Sequence, residues 1–201
     1  MTKVKLCGLT RIEDIECVNI LKPEYIGFVF WDKSFRNISE SQAYELKSLL
    51  DKDIKSVGVF VDPDMDYVYH LYKRGIIDIA QLHGNESNED ILYLKRLGVP
   101  VIRAFILSTE EDNSAVLDEA LNNPADFLLF DTGKGSGMAF NWEMLKDFPR
   151  PFFMAGGLNP ENVSQAIKTA NPFAVDVSSG IETTKIKDSN KMKQFVMNAR
   201  Q

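Results

Sequence analysis

Short apolar segments alternate with longer amphipathic segments along the whole chain. The short segments are rich in β-branched and aromatic residues, which predicts strands. They lie at Val4–Gly8, Tyr25–Phe30, Ser56–Val61, Asp78–His83, Val101–Leu107, Phe127–Thr132, Phe152–Gly157 and Ala174–Gly180. Several of these segments contain uninterrupted apolar runs, such as the four residues that begin at Phe127. Such runs are expected of parallel strands that are covered on both faces.

The amphipathic segments between the strands predict helices. They lie at Arg11–Leu21, Glu40–Leu50, Asp64–Arg74, Asn88–Leu97, Asn113–Leu121, Trp142–Phe148, Pro160–Thr169 and Ser189–Ala199. Gly98 is suited to a helix C-terminus, and Pro100 prevents the fourth helix from continuing. Asn159 followed by Pro160 predicts an N-cap with proline at the first helical position.

Eight strand–helix alternations in 201 residues predict an α/β fold, the (β/α)8 or TIM barrel, as a single domain over residues 1–201. A doubly wound open sheet also alternates strands and helices, but five or six strands are typical of it. The first strand and its turn, Val4–Thr10, also lack the glycine series of a dinucleotide-binding fingerprint. The closed barrel is therefore the favoured architecture.

Composition narrows the range of functions. A net charge of −6 argues against non-specific nucleic-acid binding and against a role at a membrane surface. No apolar run approaches the roughly 18 residues that span a bilayer, and the N-terminus shows no secretory signal, so a cytoplasmic location is expected. The two cysteines, Cys7 and Cys17, fit a reducing compartment. No Cys/His spacing predicts a structural metal.

In a barrel of this kind, the carboxyl ends of the strands and the loops after them face the active site. Topology therefore selects the candidate residues before their chemistry is considered. The selected positions are Cys7-Gly8, Val29-Phe30, Val61-Asp62, His83-Gly84, Asp131-Thr132, Gly156-Gly157 and Ser178-Ser179-Gly180. They contain one thiol, one imidazole, carboxylates and two turns rich in glycine and serine.

The turns after the seventh and eighth strands are Gly156-Gly157 and Ser178-Ser179-Gly180. These two loops often form a phosphate site in TIM barrels. Glycine lets backbone N–H groups approach an anion closely, and serine hydroxyls can donate to it. A tight strand-to-helix turn explains either loop alone, but the two together favour phosphate binding.

Cys7 and Asp131 are the candidates for proton transfer. A cysteine at a strand end is more often a small buried hydrophobe than a catalyst, and a catalytic thiol must be accessible and partly ionised. Cys17 lies within a helix, where we expect it only to pack. Asp131 ends an apolar strand, so it must be paired, hydrated or functional. Partial burial would raise its pKa and keep a proton available for donation.

Three other features surround these candidates. Arg36, in the loop after the second strand, could clamp a substrate carboxylate, although a surface arginine is usually only solvated. His83 could orient a substrate or bond a neighbouring loop. The glycine-rich loop Thr132–Gly137 lacks the Walker spacing and predicts a lid over the site.

Together these residues resemble the phosphoribosylanthranilate isomerase family of tryptophan biosynthesis. The resemblance covers essentially the whole chain, and its specificity comes from the order and spacing of several short motifs. The principal matching stretches are Lys5–Arg11, Gly27–Phe30, Ser34–Ile38, Val57–Val61, Gln81–Glu86, Asp131-Thr132, Ala155–Val163, Val175–Glu182 and Lys187-Asp188.

The resemblance implies a TIM-barrel isomerase that carries out an Amadori rearrangement of a small phosphorylated substrate, N-(5'-phosphoribosyl)anthranilate. It implies that Asp131 is the general acid, that Cys7 is the general base and that Arg36 binds the anthranilate carboxylate. The glycines and serines of the last two loops would hold the phosphate, with Asp176 supporting the site. No metal or organic cofactor is implied, and a barrel of this size is a monomer or a homodimer.

Two loops depart from the family pattern. Phe35 replaces the usual proline, and Gly135-Ser136-Gly137 with Asn141 replace a glycine-threonine pattern with aspartate. These changes bear on loop conformation and affinity rather than on the acid and base.

Three other functions are weighed against this one. Indoleglycerol-phosphate synthase needs catalytic lysines at strand ends, and none of these strands ends in lysine. A histidine-pathway aminoaldose isomerase uses two aspartates, where this chain has Cys7. A non-catalytic barrel that binds a phosphorylated ligand has no need for both Cys7 and Asp131.

Overall fold

The computed structural model describes residues 1–108, 112–131 and 142–201. Eight parallel strands form a closed barrel in the order of the sequence, with β8 pairing β1. The strands are β1 Lys3–Cys7, β2 Tyr25–Phe30, β3 Lys55–Phe60, β4 Ile79–Leu82, β5 Val101–Ile106, β6 Phe127–Asp131, β7 Phe152–Met154 and β8 Ala174–Val177. The predicted architecture is therefore confirmed.

Helices cover the outside of the barrel. They are α1 Ile12–Leu21, α2 Glu40–Leu49, α3 Met65–Lys73, α4 Asn88–Arg96, α5 Ser114–Asn122, α6 Val163–Ala170 and α7 Ser189–Ala199. Their buried faces and the outward faces of the strands form one continuous apolar core. In the part of the chain that the structure describes, no helix has the length and apolar character needed to cross a membrane.

The interior of the barrel changes character from one end to the other. At the amino-terminal end and the middle it is filled by apolar side chains, among them Tyr25, Val57, Leu129 and Phe153. Towards the carboxyl ends of the strands, Cys7 packs with Val29 and Val59. Successive residues of a strand point to opposite faces, so Lys5 and Cys7 both face inward from β1.

The structure differs from the predicted elements in the last third of the chain. The segment predicted as a helix from Trp142 is a short 3-10 turn, Trp142–Leu145, and Asp147 then adopts φ 62°, which ends the helical path. Helix α6 begins at Val163 rather than at Pro160. Asn159 accepts from the backbone N–H groups of Glu161 and Asn162, so the proline lies in the turn before the helix.

The predicted seventh and eighth strands also end earlier than expected. Strand β7 stops at Met154, and β8 stops at Val177 and leads into a 3-10 turn, Ser179–Ile181. Two short antiparallel strands, β9 Glu182–Thr183 and β10 Ile186–Lys187, then form a hairpin that the hydrophobic pattern did not predict. This hairpin brings two charged side chains to the rim of the barrel.

Candidate active site

A cavity of about 390 Å³ opens at the carboxyl ends of β6, β7 and β8. Its lining includes most of the residues selected from the sequence, namely Arg36, Asp131, Gly156, Gly157, Asp176, Ser178 and Ser179. A cavity of about 420 Å³ lies elsewhere, lined by residues 1–3, 148–152 and 171–173. The lining of this second cavity contains no carboxylate, thiol or imidazole. The cavity at the carboxyl ends of the strands is therefore the candidate active site.

Cys7 ends β1 beside this cavity and is 7% exposed. Its neighbour across the β1–β2 ladder is Gly27, and a Cβ atom on Gly27 would lie 2.5 Å from the Cys7 sulfur. The absence of a side chain at Gly27 therefore makes room for the thiol. Burial raises the pKa of Cys7, while the nearby ammonium groups of Lys5 and Lys187 act in the opposite direction.

Lys5 lies directly beneath Cys7, fully buried inside the barrel. Its Nζ donates to Oδ2 of Asp176 at 3.0 Å, and the two residues pair across the β1–β8 ladder. Burial opposes the charge on Lys5, but Asp176 and Cys7 outweigh it, so the pKa of Lys5 is raised. Lys5 therefore remains an ammonium group.

The loop after β8 ties Cys7 to the hairpin. Ser178 Oγ donates to the carbonyl oxygen of Cys7 at 3.1 Å. Lys187 Nζ donates to the Ser178 carbonyl at 2.9 Å, to Ser178 Oγ at 3.2 Å and to Glu182 Oε1 at 2.6 Å. A short polar network therefore runs from β1 through the loop after β8 to the hairpin.

Arg36 is held by the same hairpin. Its Nε and Nη2 donate to the two carboxylate oxygens of Glu182 at 2.7 and 2.8 Å, and the ring of Phe35 lies 4.2 Å from its guanidinium carbon. Burial opposes ionisation of Glu182, but the donors Arg36 and Lys187 lower its pKa overall. Among the described residues, none accepts from Nη1 of Arg36, so that edge of the guanidinium is open to a ligand.

Asp131 ends β6 and lies opposite His83, which follows β4. The distance from His83 Nε2 to Asp131 Oδ2 is 3.7 Å. Burial, together with the charges of Lys5 and Arg103, lowers the pKa of His83 to about 4, so the contact is not an ion pair at neutral pH. Gln81 Nε2 lies 3.1 Å from His83 Nδ1, and in the tautomer in which Nδ1 accepts from this amide the ring proton lies on Nε2, facing Asp131.

The loops after β7 and β8 require glycine for two different physical reasons. Gly156 and Gly157 adopt φ 88° and 65°, a left-handed turn that favours glycine and directs the chain around the cavity. Gly180 does not line the cavity. A Cβ atom there would lie 1.9 Å from the carbonyl oxygen of Leu158, so Gly180 lets the loop after β8 pack against the loop after β7.

Sequence comparison places the chain in a family. Residues 4–198 match the family model of N-(5'-phosphoribosyl)anthranilate isomerase. The chain belongs to this family. The isomerase of Endomicrobium trichonymphae is 45% identical over 202 residues, covering 98% of this chain and 97% of the relative. That of Thermoanaerobacter sp. strain X514 is 45% identical over 203 residues, covering 100% and 98%.

Solved structures of phosphoribosylanthranilate isomerases share the fold over its full length. The crystal structure from Thermotoga maritima matches with a TM-score of 0.91 and 36% identity, covering 100% of this chain and 99% of that one. A phosphoribosylanthranilate isomerase in complex with reduced 1-(o-carboxyphenylamino)-1-deoxyribulose 5-phosphate matches with a TM-score of 0.87 and 34% identity, covering 100% and 99%. A structure of monomers of the dimeric T. maritima enzyme also matches, with a TM-score of 0.88 and 35% identity, covering 100% and 99%.

Membership of the phosphoribosylanthranilate isomerase family confirms the predicted resemblance and sets the histidine-pathway alternative aside. The roles of individual residues remain predictions. The structure also adds three charged residues that the sequence analysis gave no role, namely Lys5, Glu182 and Lys187. The predicted lid, Thr132–Gly137, lies outside the described residues, as do the departures at Gly135–Gly137 and Asn141.

Proposed function

We propose that this chain converts N-(5'-phosphoribosyl)anthranilate into 1-(2-carboxyphenylamino)-1-deoxyribulose 5-phosphate, in the cytoplasm, with Cys7 as general base and Asp131 as general acid. One observation carries the proposal. A thiol and a carboxyl group end β1 and β6 of one closed barrel, so both lie at the same rim, beside a cavity that also has glycine- and serine-rich turns.

The reaction needs one group that gives a proton and another that takes one. Asp131 protonates the ribose ring oxygen, and the ring opens to a protonated Schiff base. Cys7 then removes the proton from C2', which gives an enolamine that tautomerises to the ketone. The Nε2 atom of the neutral His83 imidazole lies 3.7 Å from Asp131 Oδ2, so with its proton on Nε2 the ring can stabilise the carboxylate that remains after proton donation.

The remaining site residues bind the two ends of the substrate. The backbone N–H groups of Gly156, Gly157 and Ser178, together with the hydroxyl of Ser179, hold the phosphate, since the Ser178 hydroxyl already donates to the Cys7 carbonyl. Arg36 receives the anthranilate carboxylate on its open Nη1 edge, since Glu182 occupies the other edge. Asp176 and Gly180 support the site through Lys5 and through loop packing respectively.

The deciding experiment follows the fluorescence decay of phosphoribosylanthranilate generated in situ, with and without this protein. We expect a large acceleration that falls by about 10²–10⁴-fold in Cys7→Ala and in Asp131→Asn. Cys17→Ala is the matched control, because Cys17 packs partly buried in α1, away from the cavity. It should retain wild-type turnover.

Three results would contradict the proposal. Decay at the spontaneous rate with the folded wild-type protein would favour a non-catalytic barrel that binds a phosphorylated ligand. Full turnover in Cys7→Ala or Asp131→Asn would remove the assigned role of that residue. Faster turnover of the histidine-pathway aminoaldose would restore the alternative isomerase.

A further inference from the structure

The surroundings of the Cys7 sulfur contain charges that the acid–base scheme does not use. Lys5 precedes Cys7 by two residues on β1 and therefore faces the same interior. It is fully buried, and its pairing with Asp176 at 3.0 Å joins the two strands that close the barrel. Lys187 reaches the same region from β10. Among the described residues, the charged groups that act on Cys7 are therefore Lys5 of β1, Asp176 of β8 and Lys187 of the hairpin.

Barrel stability does not by itself account for a buried lysine at this position. Removing an ammonium and a carboxylate from water is costly, and well-packed apolar residues usually serve a core equally well. Most of the barrel interior is apolar, with Val57, Leu129 and Phe153, and the other polar side chain buried there, Gln81, is uncharged. The ion pair is therefore placed where its charge can act on a neighbour, and the neighbour above it is Cys7.

The two lysines differ in what they can offer the sulfur. Lys187 has three N–H groups, and it donates to three oxygens, on Ser178 and Glu182. Lys5 donates to one oxygen of Asp176, and its charge also acts on the thiol of Cys7. Lys187 can therefore act on the thiol only through its charge, whereas Lys5 also has N–H groups left with which to donate to it.

We propose that Lys5 is a positioning residue that stabilises the thiolate of Cys7 and thereby sets the pH at which the general base becomes active, with Asp176 holding the Lys5 side chain in place. This proposal rests on the proposed function. A protonated lysine has no lone pair, so Lys5 is not itself a base. The thiolate is the form that accepts a proton from the substrate, so kcat/KM rises as pH rises through the ionisation of Cys7.

The thiol can be titrated without substrate. In a Cys17→Ala background Cys7 is the one remaining cysteine, so the rate of alkylation by iodoacetamide against pH reports its ionisation alone. Lys5→Met leaves Asp176 buried and unpaired, so the informative variant is Lys5→Met/Asp176→Asn, which removes both charges. We expect its alkylation midpoint to move to higher pH, with a roughly 10-fold slower reaction below the midpoint.

Asp176→Asn alone is the matched control, since it removes only the negative charge. Its midpoint should move to lower pH, opposite to the double variant, and Lys187→Met should move it to higher pH by less than the double variant does. A purely structural role would not produce shifts of opposite sign. In folded variants that turn over substrate, the pH profile of kcat/KM should move with the alkylation midpoint.

An unchanged midpoint in the folded double variant would overturn the proposal. If that variant does not fold, the ε-carbon resonance of Lys5 in the Cys17→Ala protein provides the test. It should show a step at the alkylation midpoint of Cys7, and its absence would equally overturn the proposal. Neither measurement needs substrate, so a protein without isomerase turnover but with these shifts would refute the proposed function and leave the Lys5–Cys7 coupling standing.

Discussion

At the scale of single residues, the position of the Cys7 thiol depends on glycine at position 27, which has no Cβ atom. Gly27 lies opposite Cys7, and a Cβ atom there would come within 2.5 Å of the sulfur. Gly58, on the adjacent strand β3, is equally crowded, but its Cβ would meet Phe60 and Ile77 on the outer face. A side chain at Gly27 would therefore disturb the thiol, whereas a side chain at Gly58 would disturb only the apolar packing around the barrel.

We expect Gly27→Ala to displace the thiol and to lower kcat/KM by about 100-fold, because a displacement near 1 Å at a reacting group has effects of that size. Both Gly27→Ala and Gly58→Ala should lower the free energy of unfolding by about 1–3 kcal/mol through overpacking. Gly58→Ala should keep the wild-type kcat/KM. Isomerase assays and urea unfolding of both variants check this, and full activity in Gly27→Ala would contradict it.

His83 makes a second residue-scale prediction, in the pH dependence of stability. Its pKa is about 4 in the folded protein, against about 6.5 in an unfolded chain. Between these values the unfolded state binds a proton that the folded state does not, so stability falls as pH falls. From pH 7 to pH 5, we expect a loss of roughly 2 kcal/mol from this group.

His83→Gln should abolish most of that loss, because glutamine does not titrate. His70→Gln is the control, since His70 lies exposed on α3 beside Glu40 and should leave the loss nearly intact. Urea unfolding at pH 7 and pH 5 measures the difference. An identical pH slope in His83→Gln and the wild type would show that His83 is not the group responsible.

At the scale of elements, helix α1 is fixed to the site by Asp14. The Asp14 carboxylate is 1% exposed and accepts from the backbone N–H groups of Thr10 and Arg11 at 3.1 Å. Arg11 also donates to the carbonyl oxygen of Lys187 at 2.9 Å. The start of α1 therefore holds the hairpin that carries Glu182 and Lys187.

Asp14→Asn should lower the free energy of unfolding by about 2 kcal/mol, because it weakens several buried charge-assisted hydrogen bonds. Asp90 occupies the same position in α4 and accepts from the backbone N–H and the hydroxyl of Ser87, but these contacts are exposed. Asp90→Asn should cost about 0.5–1 kcal/mol. Equal losses in urea unfolding would mean that burial does not strengthen the Asp14 contacts.

The elements also show how far sequence reasoning reaches. Cys7 and Asp131 could be selected because each ends a strand, and strand ends follow from the hydrophobic pattern. Glu182 and Lys187 lie on strands of two residues, too short for any period to be read. Lys5 alternates with Val4 and Leu6 like a solvent-facing residue, although the inner face of a closed barrel meets no solvent. These placements depend on tertiary closure, which a local pattern does not encode.

At the scale of the whole molecule, the two halves of the barrel share one interior. Tyr25, Val57 and Ile79 from β2–β4 pack with Ile102 and Leu129 from β5 and β6, together with side chains of β7 and β8. The halves are joined by the β4–β5 and β8–β1 ladders. Neither half can bury its inner face alone, so we propose that residues 1–201 fold as a single domain.

The two tryptophans allow this proposal to be tested, because Trp31 follows β2 in the first half and Trp142 follows β6 in the second. Trp31→Phe and Trp142→Phe each leave one tryptophan that reports on one half, and far-UV circular dichroism reports on both. Because exposing either inner face removes the packing partners of the other, we expect fluorescence and dichroism to give the same urea midpoint within each variant. If the fluorescence of Trp31 or Trp142 changed at a urea concentration where the dichroism had not, one half would unfold while the other persisted, and the barrel would comprise two folding units rather than one.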